Sequence, residues 1–191
     1  MQIPDAEVHY LPHLELSQPD LQVLQRVIAE IPWRAEGVTV YGRRVLQPRL
    51  TAWYGDAGAN YAYSGIQLQP RPWTPLLLDI KTRIEAAVGV TFNSVLLNYY
   101  RDHNDSIGFH CDDEPELGER PQIASLSLGE ERLFVLRHKT LRQAEPARLR
   151  LASGSLLLMA GDTQHYWRHG IAKQSRRCGP RVNMTFRKII G

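Results

Sequence analysis

Two segments in the first ninety residues carry apolar side chains at helical spacing. The apolar positions repeat every three or four residues, as in a helix that buries one face. They are Leu21, Leu24, Ile28 and Ile31 in the first segment and Leu77, Ile80, Ile84 and Val88 in the second. The pattern predicts one helix over about 18–30 and another that begins after Thr74 and Pro75 and ends at Gly89. Both are interpreted as packing supports rather than sites.

From about residue 91 the pattern changes to short apolar runs separated by polar residues and glycines. The runs have strand length, and they cover 92–100, 123–128, 133–136, 149–151, 156–159 and 182–189. So many short strands predict a mainly β protein with flanking helices, arranged as a sandwich or jelly roll. The stretch 37–65 has little periodicity and is interpreted as ordered loops and hairpins, where binding residues often lie.

Length and composition favour a single globular domain. The chain has 191 residues, with 43% hydrophobic and 23% charged, which is enough to build one large core without disulfides. No apolar run approaches the roughly 18 residues of a membrane span, and the amino terminus lacks the basic flank of a secretory signal. We therefore expect a cytoplasmic protein without membrane contact, with Cys111 and Cys178 as reduced thiols.

The basic residues are grouped rather than spread evenly. The formal net charge is only +3, so the total charge is weak support for a nucleic-acid partner. The groups are Arg43, Arg44 and Arg49; Arg137, His138, Lys139 and Arg142; and Arg168, Arg176, Arg177, Arg181 and Arg187. The first two groups could contact phosphates, and a solvated basic face is an equally good interpretation of the pattern alone.

A candidate metal site lies in segment 107–114. In an extended chain residues two apart point the same way, so His110 and Asp112 could reach one ion. A third ligand must then come from a distant segment, and 161–170 offers both His165 and His169. Spacing alone does not choose between them. Two imidazoles and one carboxylate with open positions form the ligand set of non-haem iron(II) oxygenases.

The last predicted strand, 181–187, alternates strictly between polar and apolar residues. Its polar positions are Arg181, Asn183, Thr185 and Arg187. Two guanidinium groups on one face suit the carboxylates of a small dicarboxylate such as 2-oxoglutarate. A half-buried strand with a solvated polar face is the alternative.

Taken together, these segments resemble the AlkB-type dioxygenases, most closely the mammalian homologue that acts on duplex DNA. The resemblance covers about residues 38–190. The matching motifs are YGDAG (54–58), YAYSG (61–65), NYY (98–100), HCDDE (110–114), ASLSLG (124–129), WRH (167–169) and PRVNMTFR (180–187). Each motif is weak alone, and their shared order and spacing make the resemblance specific.

The resemblance implies a double-stranded β-helix, a jelly-roll variant, with iron(II) at one open end. It implies His110, Asp112 and His169 as ligands. His169 is chosen as the second histidine ligand because in the family that histidine lies two residues after a tryptophan. The residues implied to bind 2-oxoglutarate are Asn98, Tyr100, Arg181, Asn183, Thr185 and Arg187. Residues 91–191 would form the catalytic core, and residues 1–90 would supply helices and nucleotide-recognition hairpins packed on it.

The resemblance also implies a substrate and its contacts. Glu114 would contact the exocyclic amino group of the damaged base, and Tyr61, Tyr63 and Ser64 would line the base pocket. The tyrosines could instead be core aromatics near a turn. Tyr41 would be a wedge inserted into the duplex, where the duplex-acting homologue has phenylalanine. Arg43, Arg44 and Arg137 would grip phosphates or the opposite strand.

The implied activity is oxidative removal of N-methyl groups from 1-methyladenine and 3-methylcytosine in DNA. Iron(II), 2-oxoglutarate and O2 would be required, and formaldehyde, succinate and CO2 would be released. A monomer acting on single-stranded or duplex DNA is expected. RNA or protein substrates for the same chemistry stay open, as does a jelly-roll binding module without turnover.

Overall fold

The computed structural model describes residues 3–40, 43–59, 61–63 and 66–190, with backbone alone at 38–40, 43–44, 61–63 and 66–68. The strands are β1 (Glu7–Leu11), β2 (Gly37–Val40), β3 (Arg43–Leu46), β4 (Leu50–Gly55), β5 (Tyr61–Tyr63), β6 (Ile66–Leu68), β7 (Ser94–Tyr100), β8 (Ile107–His110), β9 (Ile123–Gly129), β10 (Arg132–His138), β11 (Ala147–Leu151), β12 (Leu156–Ala160), β13 (Trp167–Ile171) and β14 (Arg181–Arg187). The helices are α1 (Asp20–Glu30), α2 (Pro75–Val88) and the single turn α3 (Thr163–Tyr166), with a 3-10 turn at Pro115–Leu117.

Two antiparallel sheets form the body of the protein. The larger sheet has the strand order β1-β12-β9-β14-β7-β4, and the smaller has the order β11-β10-β13-β8. Apolar residues of both sheets share one core, including Ile123 and Leu157 from the larger and Leu136 and Trp167 from the smaller. The sheets therefore pack face to face. The mainly β, jelly-roll prediction is confirmed.

The two long helices cover the outer face of the larger sheet. Leu77 and Ile80 of α2 share a second core with Met184 and Phe186 of β14. The predicted limits of α2 are confirmed, because the Thr74 hydroxyl accepts a hydrogen bond from the Leu77 amide and Gly89 ends the helix at φ 69°. The helices support the sheet from behind and leave its other face for the site.

The apolar stripe of α1 is placed differently from the prediction. Leu21 is 63% exposed, whereas Val23, Leu24 and Val27 are buried. Apolar residues stand at both 21 and 23, so two overlapping stripes satisfy helical spacing and only packing against the sheet selects one. The prediction of Leu21 as a core residue is therefore wrong.

The hairpins predicted in segment 37–65 are confirmed, and the segment also contributes one strand to the larger sheet. β2 and β3 form one hairpin, and β5 pairs with β6 in another. β4 instead joins the edge of the larger sheet, where Thr51 lies opposite Asn98 of β7. Both edge strands of that sheet, β1 and β4, thus come from the first ninety residues. None of the described helices is long and apolar enough to cross a bilayer.

A buried arginine holds the connection between β7 and β8. Arg132 is 1% exposed and donates hydrogen bonds to the carbonyl oxygens of Asp102, Asp105 and Ala172 at 3.3, 2.9 and 2.7 Å. Within the same connection, the Arg101 guanidinium donates two hydrogen bonds to the Asp105 carboxylate, at 2.8 and 2.9 Å. The chain that leads into β8 is thereby fixed to the rest of the fold.

Candidate metal centre and active-site cavity

Neighbouring strands of the smaller sheet bring the candidate metal ligands together. His110 ends β8 and lies directly opposite His169 of β13, while Asp112 follows two residues after His110. His110 Nε2 is 3.8 Å from Asp112 Oδ1, and His169 Nε2 is 4.0 Å from Asp112 Oδ2. One ligand atom from each residue lies within 4.8 Å of the other two. These separations suit three ligands on one side of a divalent ion.

The structure decides between the two histidines that the sequence leaves open. His165 lies on the exposed side of α3, and the helix ends at Tyr166 before β13 begins. His169 is 5% exposed and joins His110 and Asp112 in the cluster. The two histidines therefore lie in different elements, His165 in α3 and His169 in β13, and only His169 belongs to the candidate site.

The protonation states of the buried ligands suit a cation. Burial raises the pKa of Asp112, but the Arg187 guanidinium and the two histidines outweigh burial and bring the pKa to about 2. Burial, together with His110, lowers the pKa of His169 to about 3. The carboxylate is therefore ionised and the His169 imidazole neutral at physiological pH, as metal ligands must be.

The hydrogen bonds of the ligands leave coordinating atoms available. Asp112 Oδ1 accepts a hydrogen bond from Arg187 Nη2 at 3.0 Å, whereas Oδ2 is buried without a hydrogen-bond partner among the described residues. His110 Nδ1 lies 2.9 Å from the Gly108 carbonyl oxygen. Donation to that carbonyl would leave the Nε2 lone pair for a metal. The residues present therefore fit an iron(II) ion.

A glycine permits the close approach of the two ligand strands. A Cβ atom at Gly170 would lie 3.0 Å from the Ile107 carbonyl oxygen and 3.2 Å from the Gly108 carbonyl carbon. The register between β8 and β13 also shifts between His169 and Ile171. A side chain at 170 would push against backbone that does not yield as a flexible side chain does.

We expect Gly170→Ala to lower the free energy of unfolding by roughly 1–3 kcal/mol because of this overpacking, measured by urea denaturation. Gly108→Ala is the matched control, since a Cβ there would meet nothing within 4 Å. Equal stability of the two variants would contradict the close-approach argument.

The alternation along β14 is confirmed, with one face in the helix-side core and the other in a cavity. Val182, Met184 and Phe186 are fully buried. The polar residues face the cavity that also contains the metal cluster, and they are buried rather than solvated: Arg181, Asn183, Thr185 and Arg187. The alternative of a solvated polar face is therefore wrong.

Arg181 carries hydrogen-bonding capacity that the described residues do not use. Its Nη2 donates to Ser127 Oγ at 2.9 Å, and its guanidinium carbon lies 5.2 Å from the centroid of the Tyr100 ring. Nε and Nη1 are buried without described partners. Burial lowers the pKa of Arg181 to about 10, so the side chain stays cationic at neutral pH. A carboxylate ligand would satisfy both the charge and the donors.

The same cavity contains residues that sequence reasoning did not place there. All the residues predicted for metal and 2-oxoglutarate line it, and further polar lining residues are Glu36, Gln47, Arg49, Thr51 and Ser125. Arg49 Nε donates to Asn98 Oδ1 at 2.7 Å, and Gln47 Oε1 is buried without a described partner. Only Arg49 carried a sequence signal, as a member of a basic group.

Glu114 does not line the cavity in the way that the predicted extended segment would place it. β8 ends at His110, so the strict alternation that would carry Glu114 into the cavity does not continue, and Glu114 is not among the described lining residues. It is half-buried directly before the 3-10 turn. Its Oε2 is nevertheless buried without a hydrogen-bond partner among the described residues. This oxygen can therefore still accept a hydrogen bond.

The structure describes the side chain of only one of the predicted DNA-backbone contacts, Arg137, and of none of the tyrosine and serine residues predicted for the base pocket. Tyr41 and Ser64 lie outside the described residues, and Arg43, Arg44, Tyr61 and Tyr63 are described by backbone only. Arg137 is exposed on β10, with its guanidinium carbon 4.2 Å from the centroid of the Phe109 ring. Phe109 is itself 40% exposed.

Comparisons with known proteins agree with this geometry. The family model described as "2OG-Fe(II) oxygenase superfamily" matches residues 7–187. Human DNA oxidative demethylase ALKBH2 is 43% identical over 175 residues, covering 88% of this chain and 67% of that protein. Mouse alpha-ketoglutarate-dependent dioxygenase alkB homolog 3 is 42% identical over 175 residues, covering 87% and 60%.

A bovine ALKBH2 is 42% identical over 175 residues, covering 88% of this chain and 63% of that protein. The chain thus spans less than two thirds of the length of most of these relatives. A solved structure described as "The structure of OsALKBH1" has a TM-score of 0.67 at 16% identity, covering 98% of this chain and 99% of the other. That likeness supports the fold alone.

The match over nearly the whole chain also settles the cofactor class. Iron(II), 2-oxoglutarate and O2, expected from the sequence, are the set used by the matched superfamily, and the His110, Asp112 and His169 cluster fits that set. From its family match and its relatives, the chain belongs to the 2OG-Fe(II) oxygenase superfamily and, within it, to the AlkB family.

Proposed function

We propose that this protein repairs alkylated DNA by oxidative dealkylation. The observation that carries the proposal is a single cavity that holds the metal-ligand cluster and the donors of Arg181 that lack a partner among the described residues. The proposed substrates are 1-methyladenine and 3-methylcytosine. For each methyl group removed, 2-oxoglutarate and O2 would be consumed and formaldehyde, succinate and CO2 released. The name "DNA oxidative demethylase" of relatives at 42% and 43% identity supports DNA as the substrate.

His110, Asp112 and His169 would hold iron(II), which when bound supplies the oxidation of the methyl carbon by O2. The protein contributes the orientation and protonation of the ligands. Asp112 provides the anionic ligand through its unpaired Oδ2, and Arg187 holds its other oxygen. The imidazole of His169, held neutral by burial, adds a nitrogen ligand that does not need to lose a proton.

2-Oxoglutarate would bind along β14 and β7. Arg181 and Arg187 would take its carboxylates, with Asn98, Tyr100, Asn183 and Thr185 around it. The polar residues are already ordered by hydrogen bonds, since Asn183 Nδ2 donates to Ser125 Oγ at 2.7 Å and Thr185 Oγ1 to Asn183 Oδ1 at 2.9 Å. A preordered site loses less conformational entropy on binding.

The substrate base would be recognised as a cation with an exocyclic amino group. Methylation on the pairing edge gives the base a positive charge, which a carboxylate and an aromatic face both favour. Glu114 would accept a hydrogen bond from the amino group, in keeping with its buried Oε2, which has no hydrogen-bond partner in the described part of the chain. Tyr61, Tyr63 and Ser64 would line the pocket for the flipped base.

The nucleic-acid backbone would be held at the rim of the cavity. Tyr41, which lies between β2 and β3 in the sequence, would act as a wedge, and Arg43 and Arg44 follow it in the chain. Arg137, exposed beside Phe109, would contact a phosphate or the opposite strand. We propose a monomer that acts in the cytoplasm on single-stranded or duplex DNA.

The test is formaldehyde release from matched single-stranded and duplex oligonucleotides that carry one 1-methyladenine. We expect release that requires iron(II), 2-oxoglutarate and air together, with none from an unmethylated control. The ratio between the two substrates would measure the duplex preference attributed to Tyr41. Release from a methylated RNA but not from DNA would replace DNA as the substrate, and failure to convert any 2-oxoglutarate to succinate would contradict the enzyme itself.

A further inference from the structure

Gln164 lies in α3 and contacts the segment that carries Asp112. Its side chain is 1% exposed, and its Oε1 accepts a hydrogen bond from the Asp112 backbone amide at 3.0 Å. The residues are 52 positions apart in sequence. Gln164 is not among the described residues that line the cavity, and its two side-chain hydrogen bonds are with residues that do: Oε1 with the Asp112 amide, and Nε2, which donates to Met159 Sδ at 3.5 Å.

Asp112 needs such a partner because it lies just beyond the end of a strand. β8 ends at His110, so the sheet ladder no longer provides an acceptor for the Asp112 amide. A buried backbone N–H without an acceptor is costly, and native structures almost always supply one. Gln164 provides it from a different element, which fixes the position of the Asp112 backbone relative to α3.

The contact is reinforced on both sides of the glutamine. The Gln164 carbonyl oxygen accepts a hydrogen bond from Lys139 Nζ at 2.9 Å, and the same ammonium donates to Asp113 Oδ2 at 3.2 Å. The Lys139 amide in turn donates to the Tyr166 carbonyl oxygen at 2.7 Å. The segment next to Asp112 is thus tied twice to α3, through Gln164 and through Lys139.

α3 continues directly into β13, which carries His169. Gln164 therefore connects the segment that holds the carboxylate ligand to the segment that holds the second imidazole. We infer that Gln164 is a positioning residue for the metal centre: its hydrogen bond to the Asp112 amide keeps the carboxylate at the right distance from His169. The inference rests on the proposed iron(II) site.

The decisive test compares Gln164→Met with Gln164→Glu. Methionine has a similar length, but its thioether sulfur is a poor hydrogen-bond acceptor. Glutamate keeps an oxygen that can accept the hydrogen bond from the Asp112 amide. The readout is Co(II) affinity of the whole chain, followed by visible absorption without DNA or 2-oxoglutarate. We expect the methionine variant to bind Co(II) about 10- to 100-fold more weakly and the glutamate variant to keep most of the native affinity.

Gln122→Met is the control, since Gln122 is an exposed glutamine, and it should bind Co(II) as the native protein does. Native Co(II) affinity in a Gln164→Met protein with a native melting temperature would overturn the inference. Both variants lose the hydrogen bond from Gln164 Nε2 to Met159 Sδ, so equal weakening in glutamate and methionine variants that keep the native melting temperature would also overturn the inference, because the acceptor would then be irrelevant.

A second measurement needs no variant. The Asp112 amide of the native, metal-free chain should exchange its hydrogen slowly, because its acceptor is buried. Fast exchange at this amide would overturn the inference even if the methionine variant failed to fold. Neither measurement uses DNA, so a failed dealkylation assay would count against the proposed substrate and leave this result intact.

Discussion

Replacing Asp112 by asparagine is expected to abolish dealkylation and to weaken Co(II) binding by more than about 100-fold, beyond the range for residues that only support a ligand. Asparagine keeps an oxygen that can accept the hydrogen bond from Arg187, so the shape of the site is retained. It removes the negative charge that Arg187, His110 and His169 stabilise. Formaldehyde release and Co(II) titration measure the two effects.

The matched control is Asp79→Asn in α2. The Asp79 side chain is 37% exposed and pairs with Arg83 of the same helix rather than with the metal cluster. It should therefore keep native turnover and Co(II) binding. Full activity in Asp112→Asn, or an equal loss in both variants, would contradict the assignment of Asp112 as the anionic ligand.

Arg181→Met is expected to raise the KM for 2-oxoglutarate by about 100-fold or more. Each charge-assisted hydrogen bond contributes roughly 1.5–3 kcal/mol, and two nitrogen atoms of Arg181, Nε and Nη1, are buried without a hydrogen-bond partner among the described residues. Methionine fills similar space without a buried charge, so the fold should survive. The measurement is succinate formation as a function of 2-oxoglutarate concentration, with Co(II) affinity as a check on the metal centre.

Arg150→Met is the control for loss of an arginine, since its side chain is 75% exposed and pairs with Glu131. It should leave the KM for 2-oxoglutarate unchanged. An unchanged KM in Arg181→Met would mean that the dicarboxylate binds elsewhere. A large loss of Co(II) affinity in that variant would instead place Arg181 in support of the metal centre.

Local sequence patterns were sufficient to predict those parts of the site that are formed by residues close together in the sequence. The alternation of 181–187 predicted which side chains of β14 share a face, because a strand has a fixed period of two. The separation of His110 and Asp112 predicted that both could reach one ion. The choice of His169 over His165 required either the family resemblance or the structure, since it depends on where α3 ends.

Contacts between distant segments had no local signature. Gln47 and Glu36 both line the cavity because the pairing of β2 with β3 brings the residues that flank these strands together, with the Gln47 amide donating to the Glu36 carbonyl oxygen at 2.8 Å. Gln164 meets Asp112 only after the fold brings α3 next to the segment that follows β8. The exposure of Leu21 also had no local signature. Two overlapping apolar stripes fit α1, and packing against the sheet determines which of them is buried.

The contact between Arg187 and Asp112 restricts how this active site can diverge. The guanidinium proposed to bind the dicarboxylate also holds the oxygen of the proposed metal ligand, at 3.0 Å. A lineage that changed its organic co-substrate by replacing Arg187 would leave the Asp112 carboxylate buried with one fewer counter-charge. Metal dependence and co-substrate identity should therefore be inherited together, whereas exposed residues at the rim, such as Arg137, are free of that constraint.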